Sequence, residues 1–300
     1  MKIIYRFSIV SSFLGLWITS LLPESFELTL GFLLIFTFGM IHGSNDLLII
    51  GKIKKHSKYN FYKVLLTYLT IVSIAVFVFY FVPLLALILF VCFSAYHFGE
   101  QHWEHLFFKM NNYLKNIFFF CYGLLILYLV FFFNQPGVID IIYEITGIEL
   151  LTIFCNEIIT SIFFILSTIL IYAYYIKILN IKLILKEIFS IIVLAVIFNS
   201  SSLIWGFSIY FILWHSVPSL LDQISFIYGD LKKINIIKYI KNAFPYWLVS
   251  IIGIIILFYI FKDEKHFYSL FFAFIAAVTF PHAIVMMSMF TKKSNKKAQL

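Results

Sequence analysis

The chain has 300 residues, of which 63% are hydrophobic and 12% charged, and its mean hydropathy is +1.01. A soluble fold cannot be built from this composition, because too few charged side chains exist to cover an apolar core; the expectation is an all-α, polytopic integral membrane helix bundle, a single transmembrane domain over residues 1–300. The net charge of +8 does not point to nucleic acid, since the Lys and Arg residues fall in short clusters between apolar runs, where they set topology.

Apolar runs of bilayer-crossing length, roughly 17 to 25 residues, begin near residues 7, 28, 64, 83, 113, 152, 183, 203, 243 and 267. They predict about ten transmembrane helices. The first follows Lys2 and Arg6 as a signal peptide would, but no small-x-small cleavage site precedes Pro23, so it reads as a retained span. The connections alternate. Glu24 and Glu27 precede the second run, and Lys52, Lys54, Lys55, Lys58 and Lys63 the third. A near-neutral turn at Val82-Pro83 follows, then Lys109 and Lys115, then Asp140, Glu144 and Glu149. Lys177, Lys182 and Lys186, the uncharged turn at residues 199–202, and Lys232, Lys233, Lys238 and Lys241 continue the pattern, and the tail carries Lys292, Lys293, Lys296 and Lys297. The basic clusters land on one side, which predicts two cytoplasmic termini. Cys92, Cys121 and Cys155 have no CxxC spacing, so neither a disulfide framework nor a thiolate metal site is expected. The 38 Phe and 19 Tyr accompany abundant Ile, Lys and Asn, the set an A+T-rich genome encodes, and carry little functional weight.

Four histidines lie inside separate apolar runs, where an ionisable group is costly. On the second helix, Gly-Met-Ile-His42-Gly-Ser-Asn-Asp46 places a histidine and a carboxylate four residues apart, and Gly39 and Gly43 form a GxxxG pattern that is either a close-packing face or plain packing. On the fourth, Ser-Ala-Tyr-His97-Phe-Gly-Glu100 sets the two groups three apart. His102 and His105 follow near Lys109 and read as solvated or headgroup contacts. On the eighth, His215 precedes Pro218, Ser219 and Asp222; the missing amide hydrogen of Pro218 should free the carbonyl of Trp214 and bend the helix. On the tenth, Pro281 directly precedes His282 and frees the carbonyl of Ala277. His56 and His266 lie beside lysines in loops and are assigned nothing.

All four candidate ligands fall on even-numbered helices about 12 to 15 residues from each helix start, a depth of roughly 18 to 23 Å. They should therefore share one level toward the cytoplasmic side. A neutral shell of His42, His97, His215 and His282 suits iron(II) and leaves it one or two open positions; Asp46, Glu100 and Asp222 would accept from the outer imidazole N–H groups or lie near them. Two other classes use the same residues: a proton-coupled transporter with a His/Asp/Glu relay, and a bis-histidine haem protein.

The motifs around His42 and Asp46, around His97 and Glu100, Trp-His215-Ser, and Pro281-His282 resemble the Brp/Blh family of integral-membrane beta-carotene 15,15'-dioxygenases, the bacteriorhodopsin-related proteins that supply retinal to microbial rhodopsins. The resemblance spans the second to the tenth helix. It implies an Fe(2+)-dependent enzyme of the bacterial inner membrane that adds dioxygen across the central double bond of beta-carotene and releases two retinals, with a functional link to a retinal-binding rhodopsin. It also implies that His42, His97 and His215 are metal ligands. The family usually has a second histidine one turn after the one matching His215, where this chain has Ser219. Either His282 completes the shell, or three histidines and water do, or the member is divergent.

Overall fold

The computed structural model describes residues 2–21, 23–54, 60–107, 109–149, 156–261 and 267–298, and every regular element among them is helical. His56, His266 and Cys155 lie outside the described residues. The α-helices are α1 (Lys2–Thr19), α2 (Glu24–Leu34), α3 (Asp46–Ile53), α4 (Phe61–Phe81), α5 (Pro83–Phe107), α6 (Asn112–Phe133), α7 (Gln135–Thr146), α8 (Asn156–Tyr175), α9 (Ile181–Asn199), α10 (Leu203–Ile209), α11 (Val217–Tyr228), α12 (Lys233–Phe261) and α13 (Phe267–Ala298). Two π-helical segments, Ile35–Gly39 and Tyr210–Ser216, interrupt the series.

Among the described residues, seven helical segments are long and apolar enough to cross a bilayer: 61–81, 83–107, 112–133, 157–175, 203–228, 233–256 and 273–294. The three other expected spans also hold helices. Those near the N-terminus are shorter apolar stretches, Ile4–Thr19 and Ser25–Gly39, and α9 carries Lys182, Lys186 and Glu187 within its first two turns. Between α6 and α8, the acidic connection expected as a loop contains a short helix, α7, whose charged residues are Asp140 and Glu144.

The chain forms two compact units. The first takes Met1–Leu34, Val91–Asp140 and Glu149–His215. Its core is built on α6, which packs against α8 and α9, with α10 against α2; Trp103, Phe107, Phe118, Phe119, Ile126 and Phe198 are buried there. In lipid, apolar burial gives little net drive for helices to associate, so close van der Waals fit and polar contacts must hold them together. Two glycines supply that fit. A Cβ at Gly99 would stand 1.8 Å from the carbonyl oxygen of Phe119, and one at Gly123 would stand 1.8 Å from that of Ala95. The backbones of α5 and α6 therefore touch reciprocally, at Ala95 and Gly99, two residues either side of His97. Close approach through small residues was expected at Gly39 and Gly43; a Cβ at Gly43 would meet the His282 ring at an ordinary 3.6 Å and the Met40 carbonyl at 3.9 Å.

The second unit takes Ile35–Phe90, Ile141–Ile148 and Ser216–Leu300. Here α13 packs along α4 and α3, and α11 meets α3 and α12, around buried Ile49, Tyr239, Met286, Met289 and Phe290. Lys293 Nζ pairs with Asp222 at 3.0 Å. Helix α13 continues through Pro281 without interruption.

Candidate metal centre

The second unit presents His42 and His282. His42 does not sit on a continuous helix with Asp46, as its spacing suggested. A π segment ends at Gly39, residues 42–45 form a turn, and α3 starts at Asp46. Gly39, Gly43, Ser44 and Asn45 favour this break, since each is a poor helix former. The His42 Nδ1–H donates to the Gly39 carbonyl. His282, on α13, donates its Nδ1–H to Asp46 Oδ1 at 2.9 Å, and Asp46 Oδ2 accepts from the Tyr68 hydroxyl at 2.9 Å. Asp46 therefore serves the histidine of a distant helix rather than the one beside it in sequence. With both Nδ1 atoms donating, each ring is held as the tautomer whose Nε2 carries the lone pair that a metal would take.

The turn carrying His42 is fixed from outside. Gln223 Nε2 donates to the His42 carbonyl at 2.8 Å and to Ser219 Oγ at 3.2 Å. The Tyr239 hydroxyl donates to Gln223 Oε1 at 2.6 Å, and Asn45 Nδ2 donates to the Tyr239 carbonyl at 3.0 Å. Ser219 and Gln223 are wholly buried. Ser219 thus belongs to a clamp on the His42 turn. Asp222, one residue before Gln223, instead pairs with Lys293.

The first unit presents His97 and His215, both buried. His97 lies on α5 two residues before Gly99, on the opposite side of the helix from the Gly99 contact with α6. His215 lies in the π segment, its ring stacked on Phe211 at 20° and beside Phe98 with centroids 4.6 Å apart. Pro218, the second residue of α11, comes just after this π segment. In its i→i+5 register, the hydrogen that Pro218 lacks would have gone to the Leu213 carbonyl, not to that of Trp214. The Ser8 hydroxyl donates to the Leu213 carbonyl at 2.7 Å, and Trp214 Nε1 donates to Ser12 Oγ at 3.0 Å. In the second unit, Trp247 Nε1 likewise donates to the carbonyls of Phe36 and Thr37, at 3.2 and 3.1 Å. Both π segments thus receive a side-chain donor from another helix, which is what irregular backbone at membrane depth requires.

Glu100 is buried on α5, with Glu104 and Lys115 as its charged neighbours; Lys115 Nζ lies 3.3 Å from Glu104. His102 is not simply solvated: its Nε2 lies 2.8 Å from Glu187 of α9, and its ring stacks on Tyr122. His105 is partly buried.

The geometry within each unit is the same. The rings of His42 and His282 have centroids 4.8 Å apart at 84°, and those of His97 and His215 stand 4.8 Å apart at 80°. Two imidazoles bound to one ion at about 2.1 Å, with about 90 to 110° between them, have centroids roughly 4.6 to 5.3 Å apart. Each pair therefore fits as two adjacent ligands of a metal ion. Imidazoles on opposite faces of a haem would stand about 6.5 Å apart, so neither pair has that arrangement.

Tyr68 and Tyr239 have no sequence signal beyond their residue type. Spacing along the helix face marks Gln223, at one turn from Ser219, and nothing marks the two tyrosines.

Among known families, the model described as beta-carotene 15,15'-dioxygenase matches residues 33–290, a span that includes all four histidines. No curated protein and no solved structure matches the chain.

Proposed function

Because the chain belongs to the beta-carotene 15,15'-dioxygenase family, we propose that it is an iron(II)-dependent, multi-pass enzyme of the cell membrane that cleaves the central 15,15' bond of beta-carotene with dioxygen to give two all-trans-retinal. The carrying observation is that its buried histidines occur as two adjacent-ligand pairs, His42 with His282 and His97 with His215. His42, His97 and His282 are buried donors of the kind a metal takes, and in this reading all four rings serve one ion. A shell of neutral imidazoles suits iron(II), which supplies the redox chemistry that dioxygen requires.

The remaining work falls to the chain. Asp46 and the Gly39 carbonyl hold His282 and His42 in the tautomer that offers Nε2, and Asp46 brings a negative charge to offset part of the ion's. Gln223 and Tyr239 hold the backbone of His42, so its ring needs no reorganisation when the ion binds. Phe98 and Phe211 cover the His215 ring and keep water from that side. A hydrocarbon substrate dissolved in the bilayer core can reach such residues laterally. The basic clusters place both termini in the cytoplasm, with about ten spans between them, and the retinal formed is suited to a rhodopsin recipient.

Expression in a beta-carotene-producing bacterium tests the reading. The wild type should bleach the colonies, yield retinal by chromatography and carry iron after purification, whereas His42→Ala should do none of these. Unchanged carotene with iron-loaded wild-type protein present would overturn the assignment.

A further inference from the structure

Within the second unit, a groove of about 380 Å³ runs between α3, α4 and α13. Its α4 wall consists of Asn60, Lys63, Val64, Thr67, Tyr68 and Ile71, one stripe at helical spacing. From Asn60 to Ile71 that stripe rises about 16 Å, close to the hydrocarbon depth of one leaflet, about 15 Å. Polarity changes along it. Lys54 at the end of α3, with Asn60 and Lys63 at the start of α4, occupies one end, and Ser288 of α13 joins them. Farther along lie Val64, Ile71, Ile284, Val285 and Pro281, with Ile50 of α3. Lys54 and Lys63 are exposed, and Lys292 adds a third ammonium by donating to the Ile53 carbonyl. A cationic mouth above an apolar channel one leaflet deep matches the head and tail of an anionic amphiphile, and matches neither a free anion nor a pure hydrocarbon.

We propose that this groove binds an anionic phospholipid, with its phosphate at Lys54 and Lys63 and an acyl chain lying along Val64, Ile71 and Ile284. The chain would rest on the ring of Tyr68, whose hydroxyl is engaged with Asp46 on the other side. The site does not depend on the enzymatic reading, because its readout is lipid retention.

Native mass spectrometry of the full-length protein, released from detergent after incubation with phosphatidylglycerol or phosphatidylcholine of the same chains, tests it. Each lysine near an anionic headgroup is worth about fivefold in binding, so phosphatidylglycerol should be retained about tenfold or more over phosphatidylcholine. The double variant Lys54→Gln, Lys63→Gln should cut the preference to about fivefold or less, the share of Lys292. Thr67→Trp, which fills the channel below the mouth, should weaken both. The proposal is overturned by equal retention of the two lipids by the wild type, by a phosphatidylglycerol preference unchanged in the lysine variant, or by complete displacement of the lipid by millimolar inorganic phosphate. Tighter competitive binding of retinal would also overturn it, by assigning the groove to a neutral polyene.

Discussion

Asp46 is the residue on which the second unit's histidine pair turns, because it accepts from His282 and Tyr68 at once, each at 2.9 Å. Removing its charge with Asp46→Asn leaves a similar shape but can place an amide N–H against His282 Nδ1, favouring the tautomer that presents a hydrogen at Nε2. Loss of such an outer partner costs about 10- to 100-fold in metal affinity. Tyr68→Phe removes one donor and keeps both the ring and the Asp46 charge, so its effect should sit at the low end of that range, about tenfold, the lower bound for one hydrogen bond to a charged group. Iron retained against a graded chelator measures both, and equal affinity in wild type and Asp46→Asn would separate Asp46 from the metal. The same residue shows where spacing along a chain misleads. His42 and Asp46 are four apart, which on an unbroken helix puts them on one face; the turn at residues 42–45 breaks that face, and Asp46 reaches α13 instead.

At the scale of helices, two devices position the other pair. The reciprocal contact of Gly99 and Gly123 leaves no room for a methyl group, since each Cβ would fall 1.8 Å from a backbone oxygen of the facing helix. Gly99→Ala or Gly123→Ala must push α5 and α6 apart, at a cost of about 3 kcal/mol or more. Gly253→Ala is the control: nothing lies within 4 Å of its Cβ, and the change should be neutral or stabilise by up to about 1 kcal/mol. Thermal unfolding in detergent reports all three, and tolerance of Gly99→Ala would show the helices are not in backbone contact. The π segment is the second device. Ser8→Ala leaves the Leu213 carbonyl without its hydroxyl donor, which should cost about 1 to 3 kcal/mol. Pro218→Ala restores an amide hydrogen in the i→i+5 register. In the Ser8→Ala background it should recover part of the loss, giving a non-additive double-mutant cycle. Strict additivity would disconnect the proline from the π segment.

For the whole molecule, what was legible in the sequence is what depends on transfer into lipid. Each of the ten apolar runs holds a helix, because length and hydropathy register directly what a bilayer demands. The four histidines stood out because an imidazole among Ile and Phe must be compensated. The division into two units was not legible, since each is assembled from segments far apart in sequence, and neither were Tyr68 and Tyr239, indistinguishable from the other tyrosines among 19. Orientation is the remaining whole-chain property, and here charge decides. Lys177 and Lys182 flank the start of α9, and Lys232 and Lys233 the start of α12, while the turn between α9 and α10 at residues 199–202 carries no charge. Retaining basic clusters in the cytoplasm, at about 2.5 to 3.5 kcal/mol for each Lys that would otherwise cross the bilayer centre, predicts that the 199–202 turn lies outside. Ser200 and Leu231 are exposed and bracket one pass of the chain. In a background with Cys92, Cys121 and Cys155 replaced by serine, Ser200→Cys should react with a membrane-impermeant maleimide on intact cells. Leu231→Cys should react only after the membrane is opened, and labelling of Leu231→Cys in intact cells would invert the topology and move both termini outside.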